Sequence, residues 1–313
     1  MIEVQNLTRK YGDFTAVKGV SFSIPEGQII GLLGHNGAGK TTTLKVLTGF
    51  LEPSSGTVLI GGQDIRTQRV EIQRRIGYLP ENSPLYPEMT VLEYLRYVVN
   101  MRGIPEEEQP QAIRDAIRAT NLASKAEQKI ETLSKGYRQR VGVAQAIIHK
   151  PDILILDEPT NGLDPTQILA MRQLIKDLSR HATVILSTHI LQEVEAICDR
   201  ALIIMGGQLV VDSLLSDLQE KETLTILLRQ TPAEVEALIR DIPGLKGISG
   251  CSVWQGMNQY DIETEGKDPQ AVAVLAREII RKGWDLYSLH RHQQSLETVF
   301  KSVNSGAKGE QHV

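Results

Sequence analysis

Short, β-branched apolar runs alternate along this chain with stretches whose apolar residues recur every three or four positions. Gly27-Gln28-Ile29-Ile30-Gly31-Leu32-Leu33-Gly34 is such a run, bounded by glycines, and it predicts a buried strand. A Gly-rich turn follows and opens a helix at Lys40-Thr41-Thr42-Thr43-Leu44-Lys45-Val46-Leu47. Pro53-Ser54-Ser55-Gly56 and Gly61-Gly62 punctuate a turn-rich stretch that predicts short antiparallel strands. From Thr90 the period changes. Val91, Leu92, Leu95, Tyr97 and Val98 are spaced like one helix face, and Pro105 opens a second helical stretch with Ile113 and Ile117 four apart. Residues 85–150 therefore read as an all-helical insert in an α/β frame. Ile153-Leu154-Ile155-Leu156 and Thr183-Val184-Ile185-Leu186 predict two more buried strands joined by a helix, and so a parallel sheet with right-handed crossovers.

Asp212–Lys221 is short, polar and helix-like, and predicts a link to a second unit. Beyond it the pattern runs strand (Leu224–Leu228), helix (Pro232–Ile242), strands at Ile248–Trp254 and Gln259–Glu263, helix (Pro269–Lys282) and strand (Asp285–His290). That βαββαβ order predicts a ferredoxin-like α+β domain over 222–303. A closing helix, Ser295–Val303, carries Leu296, Val299, Phe300 and Val303 on one face, and 304–313 reads as a disordered tail.

Composition narrows the classes. With 34 Lys and Arg against 38 Asp and Glu the net charge is −4, which gives a nucleic-acid partner no broad electrostatic help. Aromatic content of 4% leaves few stacking platforms, so no nucleic acid is expected. Cys198 and Cys251 cannot form a disulfide framework and read as small hydrophobes in a reducing compartment. No stretch approaches the roughly 20 apolar residues of a membrane span, and MIEVQNLTRKYG lacks the apolar core of a signal peptide. Any membrane involved is expected to belong to a partner.

The chemistry lies in two places. Gly34-His35-Asn36-Gly37-Ala38-Gly39-Lys40-Thr41 fits G-x-x-x-x-G-K-[ST], a phosphate loop between strand and helix. Its backbone N–H groups are suited to cradle phosphate oxygens at the positive end of the helix, with Thr42 beside them. Lys40 is the expected neutraliser of the β- and γ-phosphates, and the Thr41 hydroxyl an expected Mg²⁺ ligand. The second place is Asp157-Glu158, two carboxylates ending an apolar strand. Asp157 is expected near the Mg²⁺, and Glu158 to deprotonate a water that attacks the γ-phosphate.

Leu133-Ser134-Lys135-Gly136-Tyr137, with Arg138-Gln139-Arg140 and a helix running toward Asp157, is similar to the LSGGQ signature of ATP-binding cassette (ABC) transporter subunits. The resemblance covers 1–215, with all motifs in order. It implies a P-loop NTPase cassette: a mixed-sheet core, an antiparallel β subdomain and an inserted helical subdomain. It also implies that Tyr11 stacks on adenine, that Ser134 and the Gly136 backbone reach the γ-phosphate held by an opposite protomer, and that Asp164 of Asn161-Gly162-Leu163-Asp164 lies at the dimer seam. His189, in Ser187-Thr188-His189, matches the switch histidine that contacts the γ-phosphate.

Two motifs depart from the family pattern. Glu81 follows Ile76-Gly77-Tyr78-Leu79-Pro80 where a glutamine is usual; its carboxylate can still meet Mg²⁺ or its water. In the signature Lys135 replaces a glycine and Tyr137 a glutamine; Lys135 either lends a cation to the partner's nucleotide or faces solvent. The resemblance implies ATP-driven closure of a homodimer or heterodimer of ATPase subunits, hydrolysis-driven release, and rocking of separate multi-span permease subunits docked near Asn82–Glu88 and the helical insert. The chain would then sit in the cytoplasm, peripheral on the inner face of the plasma membrane. The C-terminal pattern and Tyr78–Tyr86 resemble the drug, polysaccharide and gliding-motility type of exporter ATPase. An importer ATPase, or a soluble ABC ATPase of translation or DNA repair, is the alternative.

Overall fold

The computed structural model describes residues 1–220, 222–254, 256–264 and 269–293, together with 296 and 300. The chain divides into two compact units, Met1–Ser213 and the part from Leu214 onward.

The first unit opens with β1 (Ile2–Tyr11) and β2 (Phe14–Ile24), an antiparallel pair whose bulges break the two-residue alternation. β3 (Ile29–Leu33) is buried along its whole length and leads through the Gly-rich turn into α1 (Lys40–Leu47). β4 (Ser55–Ile60) and β5 (Gln63–Asp64) complete a sheet of order β2-β1-β4-β5. After α2 (Arg69–Arg74), β6 (Ile76–Leu79) enters the central sheet. The helical insert follows as α3 (Val91–Met101), α4 (Gln109–Ala119) and α5 (Lys135–Ile147). α3 starts where it does because Thr90 and Glu93 form a reciprocal capping box. β7 (Ile153–Asp157), α6 (Pro165–Leu178), β8 (Thr183–Thr188), α7 (Leu191–Ile197), β9 (Arg200–Met205) and β10 (Gln208–Leu214) return to the core.

Strand order in the central sheet is β10-β9-β3-β8-β7-β6, with parallel pairing from β9 through β6. β3 and β7 therefore flank β8, and their C-terminal ends bring the Gly-rich turn and Asp157 to the same edge. The insert carries its own apolar cluster, including Val91, Leu95, Val99, Ile113, Val141 and Ile148. This is separate from the cluster of Ile2, Val4, Leu7, Val17, Ile30 and Leu44, in which the antiparallel sheet packs on β3 and α1. Between α6 and α7, Arg172 grips the buried Glu193 carboxylate through two bonds of 3.1 and 2.7 Å.

The second unit holds α8 (Leu215–Glu220), β11 (Glu222–Leu228), α9 (Pro232–Ile239), β12 (Leu245–Trp254), β13 (Met257–Thr264), α10 (Pro269–Arg281) and β14 (Ser288–Gln293). Its sheet is antiparallel in the order β12-β13-β11-β14, over a core of Leu224, Ile226, Leu238, Tyr260, Ile262 and Leu275. Three local expectations are corrected. The 212–221 stretch is strand as far as Leu214, because β10 extends to that residue, and only Leu215–Glu220 is helical. The last strand begins at Ser288 rather than Asp285, because pairing with β11 runs from Leu227↔Ser288 to Glu222↔Gln293. Cys251 is exposed rather than packed as a small hydrophobe. Apart from Leu296 and Phe300, the expected closing helix lies outside the described residues, as does the 304–313 tail.

Candidate functional site

The phosphate loop is held open by a tight backbone. Gly39, at φ +109°, adopts a conformation that L side chains rarely take, and a Cβ there would meet the Ala16 carbonyl of β2 at 2.6 Å. β2 thus braces the loop from below, and the Gly207 N–H donates to the Ala38 carbonyl at 3.0 Å to brace it from the β9–β10 turn. Lys40 is buried. Its Nζ donates to the carbonyls of Gly34 at 2.7 Å and His35 at 3.3 Å, and lies 3.6 Å from Glu158 Oε1.

Glu158 sits just past β7 in the left-handed region, at φ +50°, and is 6% exposed. Both of its oxygens lie 3.0 Å from His189 Nδ1, so one buried carboxylate is shared by an ammonium and an imidazole. Next to it, Asp157 is fully buried. Burial pushes its carboxyl above the usual range, the Ser187 and Thr41 hydroxyls temper the rise, and the negative charges of Glu158 and Glu81 add to it. Among the described residues neither Asp157 oxygen finds a partner in hydrogen-bond geometry. Two orphaned, buried carboxylate oxygens facing a hydroxyl form an unmet acceptor site.

One cleft of about 390 Å³ collects most of the expected residues. Tyr11, His35, Asn36, Gly37, Gly39, Lys40, Thr41, Thr42, Glu81, Glu158 and His189 all line it. Gly34 and Ala38 belong to the same loop, and Gly34 accepts from Lys40. Tyr11 stands at the rim, 43% exposed, with the Arg9 guanidinium 4.8 Å over its ring. Phe14, Ala16 and Asn161 also line the cleft, although the sequence reading assigns the first two nothing. A Phe three residues after Tyr11 was the only available signal for this wall. Asn161 Nδ2 donates to Glu81 Oε1 at 3.5 Å, which links the segment after Glu158 to Glu81.

Ser134, Gly136 and Asp164 do not line this cleft. Ser134 caps α5 by accepting from the Tyr137 N–H at 3.4 Å, and Asp164 caps α6 by accepting from the Gln167 N–H at 2.9 Å. Gly136 is buried against Gln167, whose Oε1 a Cβ would meet at 2.5 Å. Lys135 is exposed, in keeping with the solvent-facing course of the two read from the sequence. Its Nζ fills the space beside Gly162 of its own chain, where a side chain would begin.

A family model described as "ABC transporter" matches residues 17–161. The linearmycin resistance ATP-binding protein LnrL of Bacillus subtilis (strain 168) is 32% identical over 305 residues, covering 97% of this chain and 98% of its own. Nod factor export ATP-binding protein I of Burkholderia orbicola (strain AU 1054) is 36% identical over 222 residues, covering 71% of this chain and 73% of its own. Among solved structures, the dimeric post-hydrolysis state of the ATP-binding cassette MJ0796, bound to ADP and Pi, superposes with a TM-score of 0.63 at 26% identity. It covers 69% of this chain and 99% of its own. A phosphate loop, the Glu158 carboxylate and a histidine meet in one cleft with Asp157 buried beside it, and this chain belongs to the ABC transporter family as one of its ATP-hydrolysing subunits.

Proposed function

We propose that this chain drives export, coupling closure and hydrolysis in a dimer of cassettes to movement of a separate multi-span permease. The 1–215 cassette is the motor in this reading, and a ferredoxin-like domain over 222–303 is accessory to it. The observation that carries the reading is the buried Glu158 carboxylate, fixed between Lys40 and His189 in the floor of the cleft.

ATP enters with its phosphates on the 34–42 loop, its charge met by Lys40, and its adenine against Tyr11. The hard oxygens of Thr41, Asp157 and Glu81 fit Mg²⁺, whose remaining positions phosphate and water would fill. Mg²⁺ bound there supplies charge neutralisation of the triphosphate. Glu158 takes a proton from water as its oxygen bonds to the γ-phosphorus, the bond to the bridging oxygen breaks, and ADP leaves. His189 steadies the Glu158 carboxylate and faces the γ-phosphate. Ser134, Gly136 and Asp164, which stand outside this cleft, serve the nucleotide of the second protomer.

Glu81 lines both the nucleotide cleft and a groove of about 490 Å³ with Asn82, Leu85, Pro87, Lys135 and Arg138. The permease docks in that groove, which makes Glu81 the group that senses both. Among the described residues no helix is long and apolar enough to cross a membrane, and the reading locates the chain in the cytoplasm against the inner face of the membrane. The two relatives, a linearmycin resistance protein and a Nod factor export protein, support outward transport.

Glu158→Gln is expected to bind ATP, trap a dimer and hydrolyse at least about 100-fold more slowly, whereas Lys40→Ala abolishes binding. Turnover of Glu158→Gln at the wild-type rate would remove the general base from this scheme. Affinity purification of tagged Glu158→Gln from detergent-solubilised native membranes with ATP should recover a multi-span protein. Ribosomes or nucleic acid in its place would support the translation-or-repair alternative.

A further inference from the structure

The two edges of the second sheet differ in kind. β14 carries Arg291, a charge of the sort that keeps an edge strand single. β12, the opposite edge, has neither charge nor proline from Gly247 to Trp254, and its hairpin partner adds none before Asp261. Its bulges are confined to the first half, between Leu245 and Gly247 and between Ile248 and Gly250. From Gly250 to Trp254 the ladder is regular. Val253, at 73%, is the most exposed large apolar side chain among the described residues, and Trp254 beside it is 52% exposed.

We propose that β12 pairs antiparallel with β12 of a second copy of this chain, extending the four-stranded sheet across a two-fold axis at Ser252. The register follows from geometry. Facing residues of an antiparallel pair both present or both withhold their backbone groups, so a strand that meets its own copy places one residue opposite itself. The centre of the regular stretch is Ser252. Trp254 then faces Gly250 of the partner subunit, an aromatic ring over a bare backbone, and Val253 faces Cys251 of the partner subunit. No charge opposes a like charge in this pairing. Five residues per strand cover much less than the roughly 1,200–2,000 Å² of a freestanding interface. The contact is therefore weak alone, and gains occupancy when cassettes hold two chains together and raise the effective concentration. It needs no nucleotide of its own.

The test uses the full chain, oxidised both without nucleotide and with ATP. Cys198 is half-buried, and burial pushes its thiol above the ordinary value, so it stays silent toward oxidants and maleimides. In a Cys251→Ser background, Ser252→Cys should oxidise to a disulfide dimer, because facing Cα atoms at about 4.5–5.5 Å suit that bond. Cys251→Ser alone should remain monomeric on a non-reducing gel. In the otherwise wild-type chain, Ser252→Asp sets two carboxylates face to face and should cut bis-maleimide cross-linking at Cys251 about tenfold, with the unfolding midpoint unchanged. Absence of the Ser252→Cys dimer overturns the pairing. So does cross-linking of Ser252→Asp at the wild-type level, or capture of a membrane protein by Cys251 in place of a second copy.

Discussion

His149 follows the last turn of α5 and ties the helical insert to the core. Its Nε2–H donates to the Ile76 carbonyl of β6 at 3.1 Å, and its Nδ1 is buried without a partner among the described residues. Protonation would put a second N–H on that orphaned nitrogen, in a half-buried site with Arg102 nearby. Burial, with the Arg102 charge second, lowers its pKa from 6.5 to about 4, against a smaller upward pull from the Ile76 bond. The unfolded chain therefore binds a proton near pH 6.5 that the folded chain refuses until near pH 4. Stability is complete above the unfolded value and drains as pH falls through this window. Between pH 8 and pH 5 the gap is worth about 2 kcal/mol, and the partial solvation of the ring cuts this to about 1 kcal/mol. In urea that moves the midpoint of the cassette's transition by about 0.4 M. His149→Gln keeps a donor for Ile76 without a proton to bind, so it should lose that part of the pH dependence. Equal midpoint shifts for wild type and His149→Gln between pH 8 and pH 5 would refute the linkage.

Gly39→Ala combines a strained φ with collision against the Ala16 carbonyl, and should lower ATP affinity by at least about 30-fold, read by fluorescent-nucleotide titration. Arg172→Ala strands the Glu193 carboxylate in the interior and should cost about 3 kcal/mol in chemical denaturation, much of it recovered by Arg172→Met with Glu193→Leu. Tyr11→Ala removes a ring from the cleft rim and should raise KM for ATP about tenfold with kcat nearly unchanged, in a steady-state phosphate-release assay.

The chemistry was more legible than the frame around it. The phosphate loop and Asp157-Glu158 are local signals, each carried by one strand end, and the fold only had to bring the two ends side by side. β1 and β2 escaped because their bulges interrupt the alternation that marks a half-buried strand. β9 escaped although Ala201–Ile204 is wholly apolar, since periodicity cannot separate a short buried strand from a helix segment. Lys135 shows a different limit. It is exposed, as one of its two expected courses had it, yet its ammonium also lies beside Gly162, 27 residues downstream in the same chain, a juxtaposition only tertiary packing creates.

The separate apolar cluster of the helical insert has a consequence for how such subunits diversify. Because α3, α4 and one face of α5 bury a cluster of their own, while Val143 and Ala146 of α5 join Leu79, Leu154 and Leu156, residues on the outer surface of the insert can change without rebuilding the β3–α1 core. The surface from Asn82 to Pro87, together with the outer face of α3 bearing Tyr97 and Met101, is thus a transplantable cartridge. Exchanging 82–87 and the exposed positions of α3 between relatives should transfer partner choice while hydrolysis keeps its own rate, because Ser134, Gly136 and the α5 side chains packed on β6 and β7 stay in place.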